Sequence, residues 1–147
     1  MNAIIYHFLQ WTWGLPLNII GALIALFCRK EKHFRYHLAR VSYWNRRGSM
    51  AIGRYIFLEK GLGEEEDRIL YHEYGHTMQS ILLGPLFLPV IAAPSLVWAN
   101  SLRMEQYRRK KNTSYYSFYP ERWADYAGLK AIQKETLKNL RRERKKL

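Results

Sequence analysis

Two long stretches of the sequence contain no Asp, Glu, Lys or Arg, and they limit what the chain can fold into more than any other feature. They are residues 1–28 and 74–102, and each is rich in large apolar side chains. Basic clusters follow both stretches, and the whole chain of 147 residues carries a net charge of +12. Basic residues beside charge-free apolar segments are typical of proteins at a membrane surface rather than on nucleic acid. We therefore expect a membrane protein whose partners include the lipid bilayer, and no nucleic-acid partner.

The first apolar segment, residues 3–28, predicts an uncleaved transmembrane anchor. Its length suffices for a helix to cross a bilayer, which takes about 20 residues, and Trp11 and Trp13 can lie at the opposite interface. A basic amino-terminal region and a small-residue cleavage site are missing, so a removable signal peptide is disfavoured. A buried core helix is the alternative. Because Arg29 and Lys30 follow directly, the positive-inside rule places the next residues in the cytoplasm.

The second apolar segment, residues 80–101, is long enough to cross a bilayer but is interrupted by three prolines. Each proline removes a helix hydrogen bond. Basic residues also follow this segment, so both of its flanks favour the cytoplasmic side. The pattern therefore favours a re-entrant or in-plane helix pair, whose irregular backbone is tolerated where protein buries it.

The rest of the sequence predicts a mainly α-helical α+β fold with a small sheet. Residues 50–58 are rich in β-branched and aromatic side chains and predict a strand in a hairpin or sheet of two or three strands. Acidic residues from Glu64 onwards favour the start of a helix that ends at Gly84, and Pro120 opens a second helix that runs to about residue 140. The chain is one membrane-anchored domain that divides into an anchor at 1–28, a basic region with the strand and the first helix at 29–83, a proline-rich segment at 84–102, a loop and the second helix at 103–140, and a basic tail at 141–147.

Residues 72–76, His-Glu-Tyr-Gly-His, match the pattern H-E-x-x-H. On a helix, residues four apart share a face, so His72 and His76 can bind one Zn²⁺ ion. Glu73 can reach the open coordination position and act as general base toward the water that the metal activates. The predicted cofactor is therefore Zn²⁺, and the predicted catalytic residue is Glu73.

A tetrahedral zinc site with two histidines and a water needs one further protein ligand. Glu121 and Asp125 lie four apart at the start of the second helix, whereas the other acidic residues after the motif lie in basic surroundings. We predict that Glu121 is the third ligand and that Asp125 accepts the outer N–H of a ligating histidine, which fixes its tautomer. The small Ala124 between them lets the two helices approach closely.

The two motifs together resemble a known group of enzymes. H-E-x-x-H followed by E-x-x-A-D, here residues 121–125, resembles the gluzincin zinc metallopeptidases and is most similar to their membrane-bound prenyl-protease and stress-induced bacterial membrane peptidase branch. Residues 72–89 are also similar to a group of short bacterial membrane proteins. The resemblance implies a zincin-like core in the bacterial inner membrane, a peptide or membrane-protein substrate cleaved on the cytoplasmic side, and strand addition of that substrate near residues 50–58. The residue roles that it implies are catalysis by Glu73, zinc ligation by His72, His76 and Glu121, and a supporting hydrogen bond to Asp125.

The chain departs from that pattern because no histidine follows Glu121, which leaves Arg122, Tyr119 or Tyr126 as candidate donors to an oxyanion. Three alternative functions stay open. An intramembrane protease of the site-2 type takes its third ligand from a later membrane segment and is disfavoured, because residues 74–102 contain no carboxylate. The others are a non-catalytic membrane protein whose helices are held together by zinc or by nothing, and a basic scaffold that binds anionic lipid headgroups.

Overall fold

The computed structural model describes residues 3–144, without the side chains of residues 135 and 138–144. The chain is mainly helical with one small sheet, so the predicted α+β class is confirmed. The helices are α1 (Ala3–Trp11), α2 (Leu15–Phe27), α3 (Glu66–Leu83), α4 (Ala93–Asn100), α5 (Leu102–Lys111) and α6 (Tyr119–Arg144). The strands are β1 (His33–Tyr36), β2 (Ala39–Trp44), β3 (Met50–Ile52) and β4 (Tyr55–Glu59). Short helical turns occupy Gly63–Glu65, Gly84–Leu86, Leu88–Ala92 and Tyr115–Ser117.

The sheet has four strands in the order β1-β2-β4-β3. β1 pairs with β2 and β3 pairs with β4 in antiparallel fashion, whereas the central strands β2 and β4 are parallel, with Val41 opposite Ile56. One face of the sheet packs on α3, where Leu70 and Tyr74 join Val41 and Ile56 in the core. This packing fixes the orientation of α3 and of the motif that it carries.

The prediction of a single strand over residues 50–58 is wrong, because that stretch forms the hairpin of β3 and β4. Gly53 turns the chain with φ +59°, a conformation that side chains other than glycine rarely adopt. β4 has hydrogen-bonded neighbours on both sides, and the sheet edges are β1 and β3. A substrate therefore cannot pair as an additional strand with β4, and within residues 50–58 only β3 (Met50–Ile52) is an edge strand.

Helix α3 begins and ends near the residues that the sequence predicts. Its acidic first turn, with Glu66 and Asp67, lies where the helix dipole favours negative charge. It ends at Gly84, where φ is +53° and Pro85 follows. The chain then bends by 118° between Gly63–Leu86 and Leu88–Asn100, so the proline-rich segment folds back beside α3 instead of continuing it.

The amino-terminal apolar segment is two helices rather than one. Gly14 and Pro16 lie at the break, and α1 and α2 are bent by 88° relative to each other. The predicted single continuous span over residues 3–28 is therefore wrong at this break. Within the part of the chain that the structure describes, no single helix is both long and apolar enough to cross a bilayer. Two bent pairs, α1 with α2 and α3 with the segment after it, reach the required length and apolarity only when both members are taken together.

Helices α3 and α6 pack face to face, and two glycines make their close approach possible. A Cβ atom on Gly75 would lie 1.9 Å from the backbone oxygen of Ala124, and one on Gly128 would lie 2.0 Å from that of Tyr71. Neither distance leaves room for a side chain. The contact brings the second turn of α3 against the first turns of α6, which are the parts of the two helices that carry the predicted site.

Candidate metal centre

Three predicted ligands, His72 and His76 from α3 and Glu121 from α6, converge in the structure. Their ligand atoms all lie within 4.8 Å of one another. His72 Nε2 is 3.1 Å and His76 Nε2 is 3.6 Å from Oε2 of Glu121. All three residues are buried, with Glu121 only 1% exposed. Residues four apart on α3 thus face a carboxylate that lies 45 positions after the second histidine in the chain.

Asp125 orients the first histidine. Its Oδ1 is 2.7 Å from Nδ1 of His72, and because a carboxylate at this position accepts, the imidazole donates its Nδ1–H. The opposite nitrogen, Nε2, then points at Glu121. Asp125 lies one helical turn after Glu121 on α6, so one face of α6 supplies both contacts to His72. A hydrogen bond of this kind fixes the tautomer and raises the basicity of a metal-binding histidine.

Gln79 has the corresponding position beside the second histidine and is not among the predicted site residues. Its Oε1 is 2.7 Å from His76 Nδ1, and its Nε2 donates to the backbone oxygen of Pro120 at 2.9 Å. The bond to Pro120 leaves the amide oxygen to face His76, so Nδ1 carries the proton and Nε2 is free to bind a metal. Gln79 also ties α3 to the residue before Glu121. Its place three residues after His76, on the same helix face, is the signal that could have identified it.

The donor set fits a zinc ion. Ligand atoms about 2.0–2.1 Å from a tetrahedral metal are about 3.3–3.4 Å apart, and the two nitrogen–oxygen separations of 3.1 and 3.6 Å bracket that value. Among the described residues, no hydrogen-bond partner is found for Oε1 of Glu121 or for Oε2 of Glu73, although both atoms are buried. Buried carboxylate oxygens without a donor are costly unless a cation or water satisfies them. Two imidazoles and one carboxylate are also a ligand set found in catalytic zinc sites.

The charges around the site are strongly coupled. Burial opposes the charged form of His72, yet the hydrogen bond to Glu121, the charge of Glu73 and the hydrogen bond to Asp125 together raise its pKa to about 9. Burial alone would raise the pKa of Glu121, but hydrogen bonds from His72 and His76 hold it well below its usual range. The carboxylates around His72 therefore stabilise positive charge at this position.

Glu73 lies beside the ligands on α3 but does not belong to the converging group. Its carboxyl group is buried, and burial raises its pKa, while the neighbouring His76 and His72 oppose that increase. A carboxylate whose pKa is raised towards neutrality is a better proton acceptor at physiological pH. The position of Glu73 next to the ligands and its raised pKa are thus suitable for a general base.

The predicted oxyanion donors point elsewhere. The hydroxyl of Tyr119 donates to the backbone oxygen of Val90 at 2.5 Å, and the side chains of Arg122 and Tyr126 are exposed on α6. Tyr115 is the nearer candidate. Burial, followed by the charges of Glu121 and Glu73, raises the pKa of its phenol, so the hydroxyl keeps its proton near the site. The sequence marked this residue only as part of a tyrosine-rich loop.

The site is covered by the proline-rich segment and by the loop before α6. The ring of Phe87 meets that of His76 edge to face at 6.3 Å, and the ring of Tyr116 meets that of His72 at 5.2 Å. Trp98 ties the two parts of the cover together, because its indole N–H donates to the backbone oxygen of Tyr115 at 2.9 Å. The cover is therefore built from residues 84–100 and 115–119.

Comparison with known proteins gives no match. No protein-family model, curated protein or solved structure matches the chain. The geometry of the two histidines and the glutamate is therefore the observation that points to a function.

Proposed function

We propose that the protein is a membrane-bound zinc metallopeptidase of gluzincin type that hydrolyses peptide bonds with Glu73 as general base. The observation that supports this most is the buried convergence of His72, His76 and Glu121. Zn²⁺, if held by these ligands, would supply Lewis acidity and would lower the pKa of a water molecule to about 7. Three protein ligands favour catalysis over a structural role, because structural zinc sites are closed by four.

The remaining chemistry falls to side chains of this chain. The Glu73 carboxylate accepts a proton from the attacking water as its oxygen bonds to the carbonyl carbon of the peptide. Glu73 then delivers that proton to the peptide nitrogen, the carbon–nitrogen bond breaks, and a carboxylate and an amine leave. The Tyr115 hydroxyl donates a hydrogen bond to the oxygen that carries the developing negative charge. Asp125 and Gln79 keep the two imidazoles in the tautomer that the site needs.

The proposed location is the inner membrane of a bacterium, with the site on the cytoplasmic side. The charge-free segments at residues 1–28 and 74–102 and the basic clusters that follow them support a membrane, because anionic headgroups attract such clusters. The substrates are then peptides or membrane proteins that reach the cytoplasmic surface. His72 and Glu121 can meet only if both lie on one side of the bilayer, which the folded-back segment between them allows.

The test is peptide hydrolysis by detergent-purified protein, followed by mass spectrometry on a peptide library. Glu73→Gln should keep zinc and lose hydrolysis by about 10²–10⁴-fold, the usual contribution of a general base. Glu105→Gln is the matched control, because Glu105 pairs with Arg109 on the exposed face of α5. If Glu73→Gln cleaves as well as the parent, the mechanism is wrong.

A non-catalytic zinc protein is the second candidate, and the burial of all three ligands favours it. In that case the metal would hold α3 against α6. Zinc in the purified protein, together with the absence of any cleaved peptide in the library, would support this candidate over the enzyme.

A further inference from the structure

Helices α1 and α2 leave many large apolar side chains exposed. Phe8, Leu23 and Phe27 are exposed, while the fully buried positions include the polar Gln10 and Asn18 as well as Tyr6 and Leu17. Both polar groups of Asn18 are paired: its Nδ2 donates to Gln10 Oε1 at 2.9 Å, and its Oδ1 accepts the backbone N–H of Arg54 at 2.9 Å. A surface helix in water places polar residues on its outer face. Large apolar side chains on the outer faces of both helices indicate an apolar environment.

The exposed apolar side chains extend over the cover of the metal site. Leu86, Leu96 and Val97 are exposed on the outside of residues 84–100, whereas Phe87 on the same segment faces His76. Helix α2 packs against Gly84–Leu86, so the two regions are neighbours. We name this surface the apolar face and define it by six residues. They are Phe8, Leu23, Phe27, Leu86, Leu96 and Val97.

Basic residues border the apolar face where its helices end. Arg29 and Lys30 follow α2 directly. Helix α5, which continues from α4 after one residue, ends in the basic run at residues 108–111. A surface with apolar side chains and a basic border complements the acyl chains and the anionic headgroups of one leaflet. A second copy of this chain would place the same basic borders against each other, so charge favours lipid as the occupant.

We propose that the apolar face inserts into one leaflet of an anionic bilayer, with α1, α2 and residues 84–100 lying in the membrane plane. The 88° bend between α1 and α2 and the 118° bend after α3 suit helices that turn along a surface. The metal centre then lies one helical layer below the lipid. Its substrates are peptide segments held at the boundary between headgroups and acyl chains, a statement that rests on the proposed hydrolase function.

The depth of the face can be measured with spin labels on single cysteines. In a Cys28→Ser background, labels at positions 8, 23 and 96 probe the face, and a label at the exposed Tyr126 of α6 is the control. The protein is reconstituted in phosphatidylcholine vesicles containing phosphatidylserine, and collisions with oxygen and with a water-soluble nickel chelate give each depth. All three face labels should lie within about 5–10 Å of the headgroup boundary, and the label at position 126 should lie in water.

Four results would count against the proposal. Labels at positions 8 and 23 separated by most of the roughly 30 Å hydrocarbon thickness would show a crossing. Face labels in water would show that lipid is not the occupant, and a spin–spin coupling between copies would show a dimer interface. Equal binding to vesicles with and without phosphatidylserine would remove the role of the basic border.

A separate measurement tests the substrate class. The reconstituted parent should cleave a lipid-tethered peptide at least about tenfold faster than the same peptide free in solution, because tethering raises its effective concentration at the surface. Equal rates for the tethered and the free peptide would refute the proposed substrate class but not the hydrolase function. If neither peptide is cleaved, the hydrolase function fails, while the spin-label depths still decide whether the face inserts.

Discussion

Replacing Gly75 by Ala should destabilise the protein, although helix propensity alone predicts that it stabilises it. Alanine in a helix interior is about 1 kcal/mol more favourable than glycine. At position 75, however, the new Cβ would lie 1.9 Å from the backbone oxygen of Ala124, and ordinary contact begins at 3.4 Å. The obstacle is backbone, so α3 and α6 must separate by about 1.5 Å. Overpacking of this kind costs about 1–3 kcal/mol, and we therefore expect a net loss of stability.

The same displacement should empty the metal site. Glu121 lies on α6 and both histidines lie on α3, so a separation of the helices lengthens every contact between the carboxylate and the imidazoles. Zinc–ligand distances tolerate changes of only about 0.2 Å. We expect Gly75→Ala to bind zinc at least about 100-fold more weakly, measured by competition with a chelator, and to unfold at lower temperature in detergent.

Gly48→Ala is the matched control for that variant. No heavy atom lies within 4 Å of a Cβ built at Gly48, and its φ of +81° makes alanine strained there. Backbone strain of about 1–2 kcal/mol should lower stability without affecting zinc affinity. If Gly75→Ala is more stable than the parent and binds zinc equally well, the close approach of the two helices is not what forms the site.

Three further predictions concern side chains outside the ligand set. Gln79→Ala should weaken zinc binding by about 10–100-fold in a chelator titration, because His76 loses the partner that fixes its tautomer; unchanged affinity would refute that role. Tyr115→Phe should lower kcat by about 10²–10³-fold with little change in KM, because only the oxyanion loses a donor; a change confined to KM would contradict this. The hydroxyl of Tyr43 donates to Glu66 at 2.6 Å, and this hydrogen bond, more than burial, raises its pKa to about 12. Since the neutral phenol is favoured in the folded state, its contribution is present below pH 10 and is lost as pH rises towards 12. Tyr43→Phe should therefore lower the free energy of unfolding by about 1 kcal/mol at pH 7, and the difference should shrink above pH 10, as measured by urea unfolding; a constant difference would show that the hydroxyl acts in another way.

The local sequence was informative wherever one residue type decides the backbone. Gly84 followed by Pro85 ends α3 because proline cannot continue the helix and glycine accepts positive φ. The four-residue spacing of His72 and His76 places both imidazoles on one face once the helix is given. The carboxylate that meets them lies on another helix, and its identity followed from the few acidic residues that come after the motif.

The errors have a common physical cause, which is tertiary structure that overrides local pattern. Gly53 was included in a strand, although only the pairing of β3 with β4 requires a turn there. Gly14 was read as part of a continuous apolar helix, although the chain bends at this residue. Tyr115 acquires its role only when the loop before α6 is brought beside α3, so no periodicity marks it. The basic tail predicted at residues 141–147 lies partly outside the described residues.

Elemental analysis of the purified protein tests the central claim most directly, with Glu121→Gln beside the parent and Glu105→Gln as control. The site geometry predicts about one zinc per chain in the parent and in Glu105→Gln, and a loss of zinc in Glu121→Gln, because amide oxygen is a much poorer zinc ligand than carboxylate. A parent protein without zinc after growth and purification in its presence, or a Glu121→Gln variant that retains the full amount, would contradict a metal centre formed by these three side chains.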